Sequence, residues 1–165
     1  MCIRDSSITG NLEYATVSGI SSVPSVAWAL FGNTAVNSGA AAFDQALVGG
    51  NLAFGSATSL SLAFNGIGST VDWSDAFWST DRTWTIWQVT GNTTGLGNLA
   101  LSTAGWQDAS GDLLSSIRAG AGFSIGLADN GRDVVLTYAV PAPGALALLA
   151  LAGLAGGRRR RGFGA

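Results

Sequence analysis

The sequence predicts an all-β body followed by one short hydrophobic C-terminal helix. Three observations carry that expectation. Short segments alternate small polar with apolar residues, the period of a strand with one buried face. Glycine reaches 24 of 165 residues, well above its ~7% norm, and the Ser and Thr around it disfavour helices and suit short strands joined by tight turns. The last uncharged stretch, residues 139–157, has no polar face.

The elements follow in order. Residues 1–6 resemble a non-native read-in and are set apart from a β-rich body over residues 7–138 and a tail over residues 139–165. No signal peptide opens the chain, so an exported body is expected to be the C-terminal part of a longer protein. Residues 40–48, rich in alanine and closed by Gly49, predict a short helix. Residues 59–64 alternate as a strand. Residues 83–90 do the same with larger side chains, placing Trp84, Ile86 and, after one slipped step, Val89 toward the core. Residues 112–118 predict a second short helix with Asp112 as its N-cap. Residues 123–127 and 133–138 flank Asn130-Gly131, a strong hairpin pattern because both residues tolerate positive φ. Gly-Asn pairs begin at positions 10, 32, 50, 91 and 97, each marking a turn, at intervals too uneven for a fixed repeat. These elements suit either a β-sandwich or a β-solenoid, and their spacing does not choose between them.

Composition removes several function classes. There is no His, so neither imidazole-based nucleophilic catalysis nor an imidazole metal site is available. The single thiol, Cys2, has no partner for an internal disulfide. All eight basic residues are arginine, and four of them are Arg158, Arg159, Arg160 and Arg161. Without that run, four arginines face ten acids, a net charge of −6, which argues against phosphate backbones as partners. Gly95-Leu96-Gly97 opens no βαβ unit and is no nucleotide loop. No catalytic residues are expected, and the chain is not expected to be an enzyme.

One segment invites a binding role. Asp72, Asp75 and Asp81 stand among Trp73, Trp78, Trp84 and Trp87. Trp73 and Trp78, with Asp72 and Asp75, could form a glycan-binding platform, indole faces on sugar rings and carboxylates on hydroxyls. Calcium is the one cofactor the oxygens suggest, and a carboxylate pair of the glycosidase kind is a third reading. The plainer alternative is that the indoles fill the core and the aspartates cap turns. Residues 129–133 likewise read as a hairpin turn more readily than as a cation loop.

The tail is the most specific feature. Residues 145–155 form an unbroken apolar run, closed by two glycines and the four arginines. A helix from Pro143 to Gly157 would have about 15 residues and span roughly 22 Å, short of a hydrocarbon core of about 30 Å. Arginine side chains reaching the headgroups close part of that gap. The positive-inside bias puts the arginines in the cytoplasm and the body outside.

Val140, Pro141, Ala142, Pro143 and Gly144, then the Ala/Leu/Gly run, then the arginine cluster, resemble a PEP-CTERM sorting signal in order and in place. Ala142 stands where that family carries Glu. The resemblance implies an exported protein of a Gram-negative bacterium, held in the inner membrane by Ala145, Leu146, Leu148, Leu149, Leu151 and Leu154. It also implies an exosortase-type membrane transpeptidase as partner. Residues 68–78, 81–86 and 134–138 more weakly resemble the end of an autotransporter-type β-strand repeat region. That likeness implies a parallel β-helix-like solenoid end and a surface or matrix protein of structural or adhesive role, with exopolysaccharide as a further partner.

Overall fold

The computed structural model of the chain describes residues 6–15, 23–37, 42–103 and 105–141. Strands dominate it, and helix is confined to single turns, in keeping with an all-β body. The chain runs through β1 (Ser6–Ile8), β2 (Leu12–Tyr14) and β3 (Ser25–Ala29). It returns through β4 (Ala46–Val48), β5 (Leu52–Phe54) and β6 (Thr58–Ala63), and again through β7 (Arg82–Val89), β8 (Thr93–Thr94) and β9 (Leu99–Leu101). Each passage lays one strand into each of three sheets, and every pairing among these nine strands is parallel.

Partners in register stand 40 residues apart at Ser6↔Ala46 and Leu12↔Leu52, and 41 apart at Ala46↔Trp87, Leu52↔Thr93 and Thr58↔Leu99. Between β3 and β6 the offset is 34, because the chain spends more residues between β2 and β3 than between β5 and β6. The expected hairpin is β10 (Gly122–Ala128) with β11 (Asp133–Ala139), and β11 lies antiparallel on β7. The first sheet therefore has the order β1-β4-β7-β11-β10. Its turn places Asp129, Asn130 and Gly131 all at positive φ, one residue more than the Asn-Gly pattern predicts.

β7 carries the slipped step. Val134 pairs with Trp87 and Val135 with Thr85, so Ile86 is the extra residue of a β-bulge. The bulge turns Ile86 and Trp87 inward together, and Trp84 and Val89 are buried on either side.

Four local expectations are corrected. Residues 46–48 of the expected helix over 40–48 are strand β4. Its alanine favours helix only weakly, whereas parallel neighbours on both sides complete its ladder while Ala46 and Val48 are buried. The second helix exists but is shorter, α1 (Leu114–Ile117), and its cap is Leu113. Asp112 does not cap it; its N–H is donated to the Asp108 carboxylate at 3.0 Å. Ser6, set apart with the first residues, begins β1. Three of the five Gly-Asn pairs do form a repeat, described below. The hydrophobic helix expected over the tail lies outside the described residues, among which no helix is long and apolar enough to cross a membrane.

The interior is aromatic. Tyr14 and Phe54, in register on β2 and β5, stack with centroids 5.5 Å apart and planes within 9°. Trp87 meets both edge-on. A second group joins Trp28, Phe64, Trp73, Trp78, Trp84, Phe123 and Tyr138. Each ring buries roughly 150–250 Å², which lets short strands of Ser, Thr and Gly enclose a stable core.

Candidate functional site

The connection from β6 to β7 holds the residues singled out for binding, and its geometry decides their role. Trp73 and Trp78 are both 0% exposed, with centroids 4.6 Å apart. Trp78 Nε1 donates to Asn33 Oδ1 at 2.9 Å, and the Trp78 carbonyl accepts from the Tyr138 hydroxyl at 3.0 Å. Neither indole offers a face to a sugar, so the glycan platform expected at Trp73 and Trp78 is corrected. The hydrophobic gain of closing the aromatic core outweighs presenting these rings to solvent.

The carboxylates of the same segment serve the backbone. Asp72 accepts from the Ser74 N–H at 2.8 Å and from its hydroxyl at 2.7 Å, and these two bonds hold its carboxyl below the usual carboxylate range. Asp75 caps the 3₁₀ turn Ala76–Ser79 through the Phe77 N–H at 2.7 Å. Arg118 fastens the turn from outside, its Nε donating to the Trp73 carbonyl at 2.7 Å and its Nη2 to those of Ser74 and Asp75. Arg82 donates to the Phe77 carbonyl and lies over the Phe77 ring at 4.3 Å. Among the described residues, no group of three or more His, Cys, Asp or Glu side chains is gathered as a cation site requires.

Two features escaped the sequence. Asp108 is 2% exposed and accepts three backbone N–H groups, from Trp73, Ser110 and Asp112. Such an arrangement needs the folded chain to bring residue 73 to residue 108. The other is a ladder of asparagines at one corner. Asn51 N–H donates to Asn11 Oδ1 at 2.8 Å, and Asn92 N–H to Asn51 Oδ1 at 2.9 Å. The spacing of the Gly-Asn pairs at 10, 50 and 91 could have revealed it. The pairs at 32 and 97 obscured it, because Asn33 receives Trp78 and Asn98 Nδ2 donates to the Phe54 carbonyl at 2.7 Å.

Of the sorting motif, Val140 and Pro141 are described; Ala142, Pro143 and Gly144 lie outside the described residues, as do the apolar run and Arg158 to Arg161. Val140 packs against the core, and its N–H donates to Asp81 Oδ1 at 2.9 Å. A surface groove of about 450 Å³ crosses β1, β4 and β7, lined by Ser7, Thr9, Leu47, Gln88 and Thr90 among others, without a charged group. Comparison with known protein families, with curated proteins and with solved structures finds no match to this chain.

Proposed function

We propose that this chain belongs to an exported surface or extracellular-matrix protein of structural or adhesive role, anchored and sorted through a tail of the PEP-CTERM kind. The observation that carries the reading is the order of the tail: Pro141, Pro143 and Gly144, then an uncharged apolar run, then four arginines. An all-apolar segment with a basic end fits lipid better than a protein core, and the charge bias sets the body outside. An exosortase-type transpeptidase is the partner, acting between Pro141 and Gly144 while the body is periplasmic, before release to the surface.

We read the body as the end of a parallel β-helix rather than a sandwich. A sandwich pairs antiparallel strands, whereas β1 to β9 pair in parallel with offsets of 34 to 41 residues. The β10–β11 hairpin covers the β7 edge at one end, and β1, β2 and β3 are the edge strands at the other. Such repeats make extended, ligand-free scaffolds as readily as binding surfaces, and the buried tryptophans favour the scaffold.

Fusing residues 139–165 to a periplasmic reporter tests the sorting role. The fusion should stay in the membrane fraction, and neutral replacements of Arg158 to Arg161 should release it. A fusion that fractionates identically with and without the arginines contradicts the proposal.

A further inference from the structure

We propose that Asp81 and Gly120 position the start of the sorting motif, holding Val140 and Pro141 on the folded body so that a processing enzyme cuts on the C-terminal side of Pro141. The inference rests on the reading of residues 140–144 as that motif. β11 ends at Ala139, and the ladder with β7 is last recorded at Tyr138↔Arg82. Beyond it the Asp81 side chain takes over, accepting the Val140 N–H at 2.9 Å. A carboxylate acceptor makes this a charge-assisted bond.

Gly120 completes the hold. It sits at φ +80°, where side chains are strained, and a Cβ there would meet Pro141 Cγ at 2.8 Å. Only glycine therefore lets the Pro141 ring lie against this turn. Val140 and Pro141 are both half-buried, unlike the exposed Ala139 before them.

An enzyme that takes an extended peptide recognises it largely through main-chain hydrogen bonds. The Val140 N–H is already committed, and Pro141 has none to give. Cutting beyond Pro141 breaks one peptide bond: the acyl carbon passes to water or to an acceptor amine, and the released nitrogen gains the proton.

Amide hydrogen exchange on the purified full chain tests the hold without any enzyme. Val140 should be protected in the wild type and in Asp81→Asn, which keeps an acceptor oxygen. It should exchange about tenfold faster in Asp81→Ala, the loss of one hydrogen bond. Gly120→Ala should give the same acceleration through Pro141, with tryptophan fluorescence reporting an intact core in both variants. A wild-type Val140 exchanging as in a free peptide, or one indifferent to Asp81→Ala, overturns the hold. The C-terminal mass of body released from cells carrying an exosortase-type enzyme tests the cut. It should end at Pro141 or later in the wild type, and earlier ends should emerge in Asp81→Ala. Wild-type ends before Pro141 overturn the proposal. A protected Val140 on a tail never processed overturns the sorting reading beneath it and leaves the contact standing.

Discussion

The Oδ1 atom of Asn51 accepts the backbone N–H of Asn92 at 2.9 Å, as Asn11 Oδ1 accepts that of Asn51 at 2.8 Å. One corner of three successive passages is thus tied by side chains that mimic a main-chain acceptor. Glycine must precede each upper asparagine. A Cβ on Gly91 would stand 2.4 Å from Asn51 Oδ1 and 2.7 Å from the Gly50 carbonyl oxygen. Gly91→Ala should therefore destabilise by about 1–3 kcal/mol, as overpacking does. Asn51→Ala, which only removes an acceptor at an exposed corner, should cost about 0.5–1.5 kcal/mol. Urea unfolding of the two variants checks both the sizes and their order.

The tryptophan pair separates packing from hydrogen bonding. Trp78 Nε1 donates to Asn33, whereas Trp73 Nε1 is buried with no hydrogen-bond partner among the described residues. Trp78→Phe should cost about 1 kcal/mol more than Trp73→Phe, the net worth of that bond. Replacing either by alanine should cost about 3–5 kcal/mol. Denaturant midpoints of the four variants give the comparison.

Asp108 collects the backbone N–H groups of Trp73, Ser110 and Asp112 in a nearly dry site. Asp108→Ala leaves these donors with no acceptor and should lower stability by about 2–4 kcal/mol, several times the effect of an exposed aspartate. The same unfolding assay on Asp129→Asn, which tolerates the positive φ of that turn and removes only the surface ion pair with Arg132, supplies the reference and should show less than about 1 kcal/mol.

The chain has two tyrosines, and both titrate high. Burial raises Tyr14. Burial also raises Tyr138, opposed by Arg118 and reinforced by Asp81. A raised folded-state value means that the unfolded chain ionises first. Their contribution to stability is full below about pH 10 and lost as pH climbs through the folded-state values. Ultraviolet titration should show no tyrosinate at the ordinary pKa, then both phenols ionising as the core opens. A phenol titrating normally in the folded protein would contradict the packing.

What the sequence disclosed was local. The alternation in residues 59–64 and 83–90 and the Asn-Gly turn at 130–131 each state their structure within a few residues, and β6, β7 and the hairpin follow them. β4 was missed because its fate is set by neighbours 40 residues before it and 41 after, not by its own alanine-rich text. The passage length was present in the Gly-Asn spacing but interleaved with asparagines that serve other corners. The hold on Val140 was invisible, since Asp81 lies 59 residues away and reads in isolation as one more turn aspartate.

The proposed role requires the tail to anchor in lipid, and vesicle flotation of the full chain tests that most directly. With vesicles of mixed zwitterionic and anionic lipid, the chain of residues 1–165 should float, and a chain ending at Ala139 should remain at the bottom. Equal sedimentation of the two would contradict the anchor, and with it the exported, sorted role proposed for the body.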